Sequence, residues 1–212
     1  MWLSIIIFLI VYIFIGSEKI NKTIAALLGA GAVLLFHVIP YEKAVEAVDL
    51  NVIFLLVGMM TEVYVLSQTG FFEWIAISIA KRTEGKPLQI LLMLLAATAV
   101  LSAFLDNVTT IVLIAPVTIL VTKILEIDPA PFLIMEALSS NIGGTATLIG
   151  DPPNVIIGSA AGLTFMDFIN HLAPGTIIIL AVFVGIVYFL TRRRFAVSDS
   201  VRERVRDAVP RL

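Results

Sequence analysis

Two aspartates stand where an apolar chain would not be expected to carry charge. Asp106 opens the string Asp106-Asn107-Val108-Thr109-Thr110, and Asp151 lies within Gly150-Asp151-Pro152-Pro153-Asn154, with long apolar runs on either side of both. Carboxylates beside neutral oxygens suit hard cations and protons, and intramembrane acids are rare without a functional reason. Asp106 and Asp151 are therefore the leading candidates as ion or proton ligands. The competing role for each is capping of a helix N-terminus, and one residue can do both. Asn107, Thr109, Thr110 and Asn154 would supply neutral oxygens or donors, or would brace the backbone through hydrogen bonds.

The second string also predicts a break in a helix. Pro152 and Pro153 have no amide hydrogen, so in a continuous helix they would leave the carbonyls of Leu148 and Ile149 without partners. The residue before a proline is pushed out of the helical region, and Gly150 accepts whatever angles the break requires. The helix is expected to stop near Ile149 and restart near Pro153. Unpaired carbonyls in hydrocarbon cost several kcal/mol each unless a polar group replaces the lost partner. The Leu148 and Ile149 carbonyls would complete an oxygen shell for Na+ shared by Asp106, Asn107, Asp151 and Asn154. The plainer reading is a surface turn.

Further candidates lie nearby. Glu136 shares one polar or small face with Ser140, Gly143 and Thr147, and is either a proton carrier or a residue near the cytoplasmic interface. Glu62, within an apolar run, poses the same choice. His37 and His171 fall at outer helix ends, where interfacial packing is the expected role. Gly143 and Gly144, like the sets Ala25/Gly29/Ala32 and Ala96/Ala97/Ala99, read as small faces for close helix approach.

The elements that must position these residues are membrane helices. Of 212 residues, 59% are hydrophobic and only 14% charged, outside the range of soluble domains. There is no cysteine, which excludes disulfides and thiolate metal or arsenic sites. Apolar runs at 2–15, 23–39 and 49–66 read as spans, the first being retained and not a removable signal. Residues 70–82 read as an interfacial amphipathic helix with Phe71, Trp74, Ile75 and Ile79 on one face. Runs at 88–104 and 111–125, rising about 25 and 22 Å, are short for a core about 30 Å thick. They form the limbs of a re-entrant hairpin over 87–125, the alternative being two full spans. A broken helix over 131–168 follows, then a last span at 174–190. With residue 1 outside and 131–168 crossing once, every one of the 14 basic residues except Lys43 falls inside. The expected architecture is thus an all-α integral membrane protein of about five transmembrane helices, a re-entrant hairpin and a broken helix. Residues 1–194 make up the transporter repeat and 195–212 a charged cytoplasmic tail.

The strings "SAFLDNVTTIVLIAPVTIL" (102–120), "EALSSNIGGTATLIGDPPNVIIGSAAG" (136–162) and "NVIFLLVGMM" (51–60) resemble the arsenite-permease and NhaD-type sodium/proton-antiporter group. That group belongs to the ion-transporter superfamily, which includes citrate and dicarboxylate carriers. The resemblance implies two inverted repeats, with hairpin tip and helix break meeting at the transport site. Dicarboxylate carriers have Ser-Asn-Thr at the tip and Gly-Thr-Pro-Pro-Asn at the break. The aspartates found here instead would repel a dianion and favour Na+, H+ or a neutral solute. One hairpin and one break are present, about half of what the resemblance calls for, so the chain reads as one inverted-repeat unit, the N-terminal half of a transporter.

The function expected is secondary transport of a small inorganic ion or oxyacid across the cytoplasmic membrane, as arsenite or antimonite efflux or as Na+/H+ antiport. Citrate or dicarboxylate transport is the alternative, with a passive channel or an intramembrane aspartyl protease more remote. The chain is not expected to be an enzyme or to bind nucleic acid. No cofactor is expected beyond a bound Na+ or H+. The expected partners are the transported solute, membrane lipid and a second inverted repeat.

Overall fold

A computed structural model describes residues 2–83 and 86–192, and every regular element among them is an α-helix. The tail at 195–212, with Arg193 and Arg194, lies outside the described residues. The chain forms two compact units, Met1–Ile53 and Phe54–Leu212.

In the first unit α1 (Trp2–Ser17) packs on α2 (Lys22–Leu35). The Asn21 side chain accepts from the Thr23 amide at 2.9 Å and starts α2. Ala25 and Gly29 are buried, and a Cβ on Gly29 would run into Val11, so the small face exists to let two backbones approach. His37, at φ +53°, follows the end of α2 and is exposed. A short α3 (Tyr41–Glu46) precedes α4 (Leu50–Ser67), which Asp49 caps through the amides of Asn51 and Val52.

The second unit continues with α5 (Phe71–Arg82), α6 (Pro87–Ser102), α7 (Asn107–Ile124), α8 (Ala130–Gly144), α9 (Pro152–Ala161), α10 (Phe165–His171) and α11 (Ala173–Thr191). Helix α6 is its centre. Ile90 and Leu94 pack with Val117 and Val121 of α7, Leu125 just past its end and Ile79 of α5. Leu91 and Leu95 pack with Phe132 of α8 and Val187 of α11. The pairing of 95 with 139 and 99 with 143 makes α6 and α8 parallel and in direct contact, while α7 runs back alongside α8, with 118 beside 136 and 107 beside 140. Lipid tails are as apolar as leucine, so it is close fit, not hydrophobic burial, that selects this arrangement. Gly143 supplies the fit: a Cβ there would strike the Ala99 carbonyl oxygen and lie 2.6 Å from Ala99 Cα.

Among the described residues three stretches are long and apolar enough to cross a membrane: Tyr41–Ser67, α7 and α11. α1, α2 and α6 are shorter apolar helices. These features make the protein an all-α membrane protein.

Several expected boundaries move. The second hairpin limb begins at Asn107, not 111, because Asp106 caps it there, and at 18 residues α7 is no longer short. Of the two limbs only α6, rising about 24 Å over its 16 residues, keeps the length argument for a re-entrant hairpin. The first half of the broken helix ends at Gly144 instead of Ile149, where Gly143 and Gly144 meet neighbouring backbone. Its second half ends at Ala161, not 168, because Gly162 adopts φ +66° and closes it. Phe168 and His171 belong to α10, opened by a Thr164–Asp167 capping box whose hydroxyl and amide hold the Asp167 carboxyl below its ordinary range. On α5 the packed face is Phe72, Ile75 and Ile79, while Trp74 is exposed. Of the alanines on α6, Ala99 is buried and Ala96 is exposed.

Gly143→Ala is expected to lower stability by roughly 1–3 kcal/mol, as overpacking does. Gly185→Ala, whose Cβ meets nothing within 4 Å, should be neutral or gain up to about 1 kcal/mol from helix propensity. Denaturation of the two variants in detergent checks the contrast, and equal melting would contradict the packing assigned to Gly143.

Candidate functional site

The hairpin tip and the helix break meet. At the tip, the chain leaves α6 through Ala103 and turns so that Asp106, extended at φ −65° and ψ 147°, becomes the N-cap of α7. Its Oδ1 accepts from the amides of Val108 (3.1 Å) and Thr109 (3.0 Å), and its carbonyl accepts from the Thr110 hydroxyl at 2.9 Å. Thr109 and Thr110 thus form the first turn of α7. Thr110 is fully buried and its hydroxyl serves the backbone.

Residues 145–151 form the break. The chain doubles back so far that a Cβ on Gly150 would lie 2.5 Å from the Gly144 carbonyl oxygen and 2.6 Å from that of Ser102. Gly150 was expected to supply unusual backbone angles, yet its φ is not positive; it is needed for close approach. Thr147 donates its hydroxyl to the Ala103 carbonyl and accepts from the Gly150 amide at 3.1 Å, tying break to tip. Asn154 donates to the carbonyls of Gly144 (3.3 Å) and Thr147 (2.9 Å), so its amide group braces the break.

Polar contacts outside the expected set complete the junction. Ser102 donates to the Ser140 carbonyl at 2.8 Å, and the Ser140 hydroxyl lies 3.0 Å from Ser102 Oγ and 2.8 Å from the Asn107 carbonyl. Asn107 donates to Asn141 Oδ1 at 2.8 Å. Ser102 and Asn141 carried no role in the sequence reading. The signal available was Ser102 one helical turn after Thr98, and Asn141 directly before the glycines.

What is left unpaired decides the chemistry. Asp151 is half-buried, extended at φ −149° as a residue before proline should be, and its carboxylate caps nothing. It lies within the electrostatic reach of Asp106. The carbonyls of Leu148 and Ile149 take no hydrogen bond among the described residues. They are available because the backbone is irregular there, not because the prolines interrupt a helix that runs past them. No lysine or arginine occurs between Lys123 and Arg192, so the break has no basic neighbour in sequence.

Neither helix N-terminus at the site offers an anion a full set of free amides. In α9 the first two residues are prolines without amides, and the Asn154 amide is bonded to the Asp151 carbonyl at 2.9 Å. In α7 the amides of Val108 and Thr109 go to the Asp106 carboxylate and that of Thr110 to its carbonyl, leaving only that of Asn107. The usual attraction of a helix start for anions is therefore spent within the chain.

The other candidates lie apart. Glu136 is fully buried on α8, with Oε1 accepting from Thr118 Oγ1 at 2.7 Å. Glu62 is exposed on α4, and His171 is exposed with its Nδ1 2.8 Å from the Asp167 carbonyl. Among the described residues no group of three or more histidines and acids could hold a metal ion.

Comparison with known proteins agrees with this architecture. Residues 12–210 match the citrate transporter (CitMHS) family model. A Mycobacterium leprae 46 kDa membrane protein is 50% identical over 209 residues, covering 97% of this chain and 48% of that protein. A Mycobacterium tuberculosis protein described as an uncharacterized transporter is 50% identical over 188 residues, 87% of this chain and 44% of the relative. The P protein of Homo sapiens is 42% identical over 182 residues, 81% of this chain and 22% of that protein. The chain spans about half the length of the mycobacterial relatives it matches. Of the resemblance drawn from the motifs, the wider transporter grouping holds, while the arsenite-permease and NhaD-type branch is not what the match singles out. With its tip-and-break motifs inside the matched region, the chain belongs to the citrate transporter family of membrane transporters.

Proposed function

We propose that the complete protein is a secondary carrier in which a cation, H+ or Na+, binds between the hairpin tip and the helix break. Asp151 is the principal ligand, Asp106 supplies field, and the Leu148 and Ile149 carbonyls supply further oxygens. The observation that carries this reading is the Asp151 carboxylate, half-buried, without a hydrogen bond among the described residues, and within the electrostatic reach of Asp106. An unpaired charge held among backbone oxygens favours a cation over an anion. The solute on this reading is a small inorganic ion or oxyacid, as in arsenite or antimonite efflux or Na+/H+ antiport. A second reading, citrate transport, is favoured by the description of the matching family. On that reading the carboxylate solute must bring its own neutralising cation or proton.

The hairpin is proposed to be re-entrant, and the tip to stop inside the bilayer. A second inverted repeat, in the rest of the protein or on another chain, completes the site. The proposed location is the cytoplasmic membrane, with the N-terminus outside and the tail at 195–212 inside, as the distribution of basic residues suggests.

Asp151→Asn in the complete protein, reconstituted in liposomes, is expected to lose cation-coupled flux while inserting normally. Asp106→Asn should keep its fold, since asparagine caps as well as aspartate, yet lose coupling; Asp106→Ala should in addition cost about 1 kcal/mol of stability from the lost cap. Normal coupled flux in Asp151→Asn would overturn the reading.

A second measurement concerns pH. Cations and protons compete for carboxylates, so apparent Na+ affinity should fall by up to about tenfold per unit as pH is lowered through the carboxylate range. A pH-independent Na+ affinity would argue against carboxylate ligation. Uptake of radiolabelled citrate with no dependence on Na+, H+ or a divalent cation would remove both readings.

A further inference from the structure

Glu136 is the only ionisable side chain among the described buried residues, with no exposed surface. One carboxyl oxygen, Oε1, accepts from Thr118 Oγ1 of α7 at 2.7 Å, while Oε2 is buried without a partner. Helix α6, packed against α8, carries the only other buried side-chain oxygen without a partner among the described residues, Thr98 Oγ1. The orphaned Glu136 oxygen needs an explanation of its own, because buried polar groups are otherwise almost always satisfied and Thr98 lies level with Ile142, further along α8.

No cation among the described residues is paired with Glu136. α6 has no charged residue, α8 has none besides Glu136, and α11 has none. α7 has only Lys123 in its last turn, which is exposed, with Asp106 as its cap at the opposite end. The charged residues of α5 are Glu73, Lys81 and Arg82, all exposed. A carboxylate so enclosed, with no counter-charge, is far more costly to bury than a neutral carboxyl that keeps its one hydrogen bond from Thr118.

We propose that Glu136 is a proton-binding site separate from the tip-and-break site, with Thr118 as its positioning residue. This inference rests on the carrier reading above, taken with Na+ as the tip-and-break cation, and assigns a coupling proton to α8. The proton adds to Oε2 and converts the carboxylate to a neutral carboxyl, and the same bond breaks to release it. Thr118 keeps Oε1 occupied, so that Oε2 alone is offered. Eight residues separate Glu136 from Gly144, about 12 Å along the helix, so the proton does not share ligands with the solute. The two sites communicate through α8, whose end forms one wall of the break.

The test is a pair of variants in the complete, reconstituted protein. Glu136→Gln keeps the acceptor for Thr118 and removes the titrating group. It should retain solute exchange at equal pH on both sides, while accumulation driven by a pH gradient falls about tenfold or more. Thr118→Val should keep gradient-driven accumulation but move the midpoint of its pH profile, which a merely structural role would not do. Unchanged pH-driven accumulation in Glu136→Gln overturns the proposal. That result leaves the carrier reading intact if Asp151→Asn still loses coupled flux, whereas normal flux in Asp151→Asn would fell the carrier reading by itself. Should Glu136→Gln fail to insert, infrared titration decides. The proposal requires a buried carboxyl band that titrates with the transport profile and shifts in Glu136→Asp, and the absence of such a band overturns it.

Discussion

The structure depends on a backbone approach that leaves no space for a Cβ. Gly143 lies against the main chain of Ala99, and Gly150 against the carbonyls of Gly144 and Ser102. In a bilayer there is no hydrophobic gain in bringing two apolar helices together, so such contacts must succeed through dispersion and hydrogen bonding. Once α6 and α8 are this close, serine and threonine hydroxyls reach across. Ser139 bonds the Leu95 carbonyl at 2.7 Å, Ser102 bonds that of Ser140 at 2.8 Å, and Thr147 bonds that of Ala103. Of these, the Thr147 bond serves irregular backbone, at the turn that leaves α6.

The same junction makes the two aspartates unequal. Asp106 is committed to its own helix, since its Oδ1 holds two amides, and a bound cation would meet mainly its other oxygen. Asp151 has the cap position of α9 but no amide within its first turn to hold, because prolines fill the first two places. A charge that a helix would ordinarily pacify is thus left unpacified by the sequence around it. Asn154, three residues on, keeps the backbone folded so that Asp151 need not.

The long apolar elements were legible from hydropathy and from proline and glycine, as were the break and the small face of α2, whereas the short helices α3 and α10, too brief for a periodic signal, were not. The meeting of tip and break came from family resemblance, not from periodicity. Boundaries were less legible, for identifiable reasons. Proline chemistry locates where a helix can restart, and α9 does begin at Pro152, but it does not locate where the previous helix stops. That was set at Gly144 by tertiary contact with the chain returning at Gly150. A cap at Asp106 makes α7 start at once and lengthens it, which hydropathy, reading only the apolar run from 111, does not register. The enclosure of Glu136 could not be read at all, since a glutamate on a helix with serines and glycines has the same pattern at an interface as in a core. Only the crossing of three helices distinguishes the two.

The site's charge pattern bears on how a carrier of this family could handle a carboxylate. Broken-helix sites ordinarily offer anions a half-helix N-terminus with free amides. Here one start lacks amides at its first two positions and the other has spent two on its own aspartate. What the junction exposes is oxygen: one carboxylate, part of another, and two carbonyls. On the proposed reading a cation is therefore the first species this half of the site recognises. An anionic solute, where there is one, would be held through that cation or by groups the second repeat contributes. Cation binding would then precede solute binding in the cycle, and the burial of Glu136 away from this oxygen cluster would let protonation and cation occupancy vary independently.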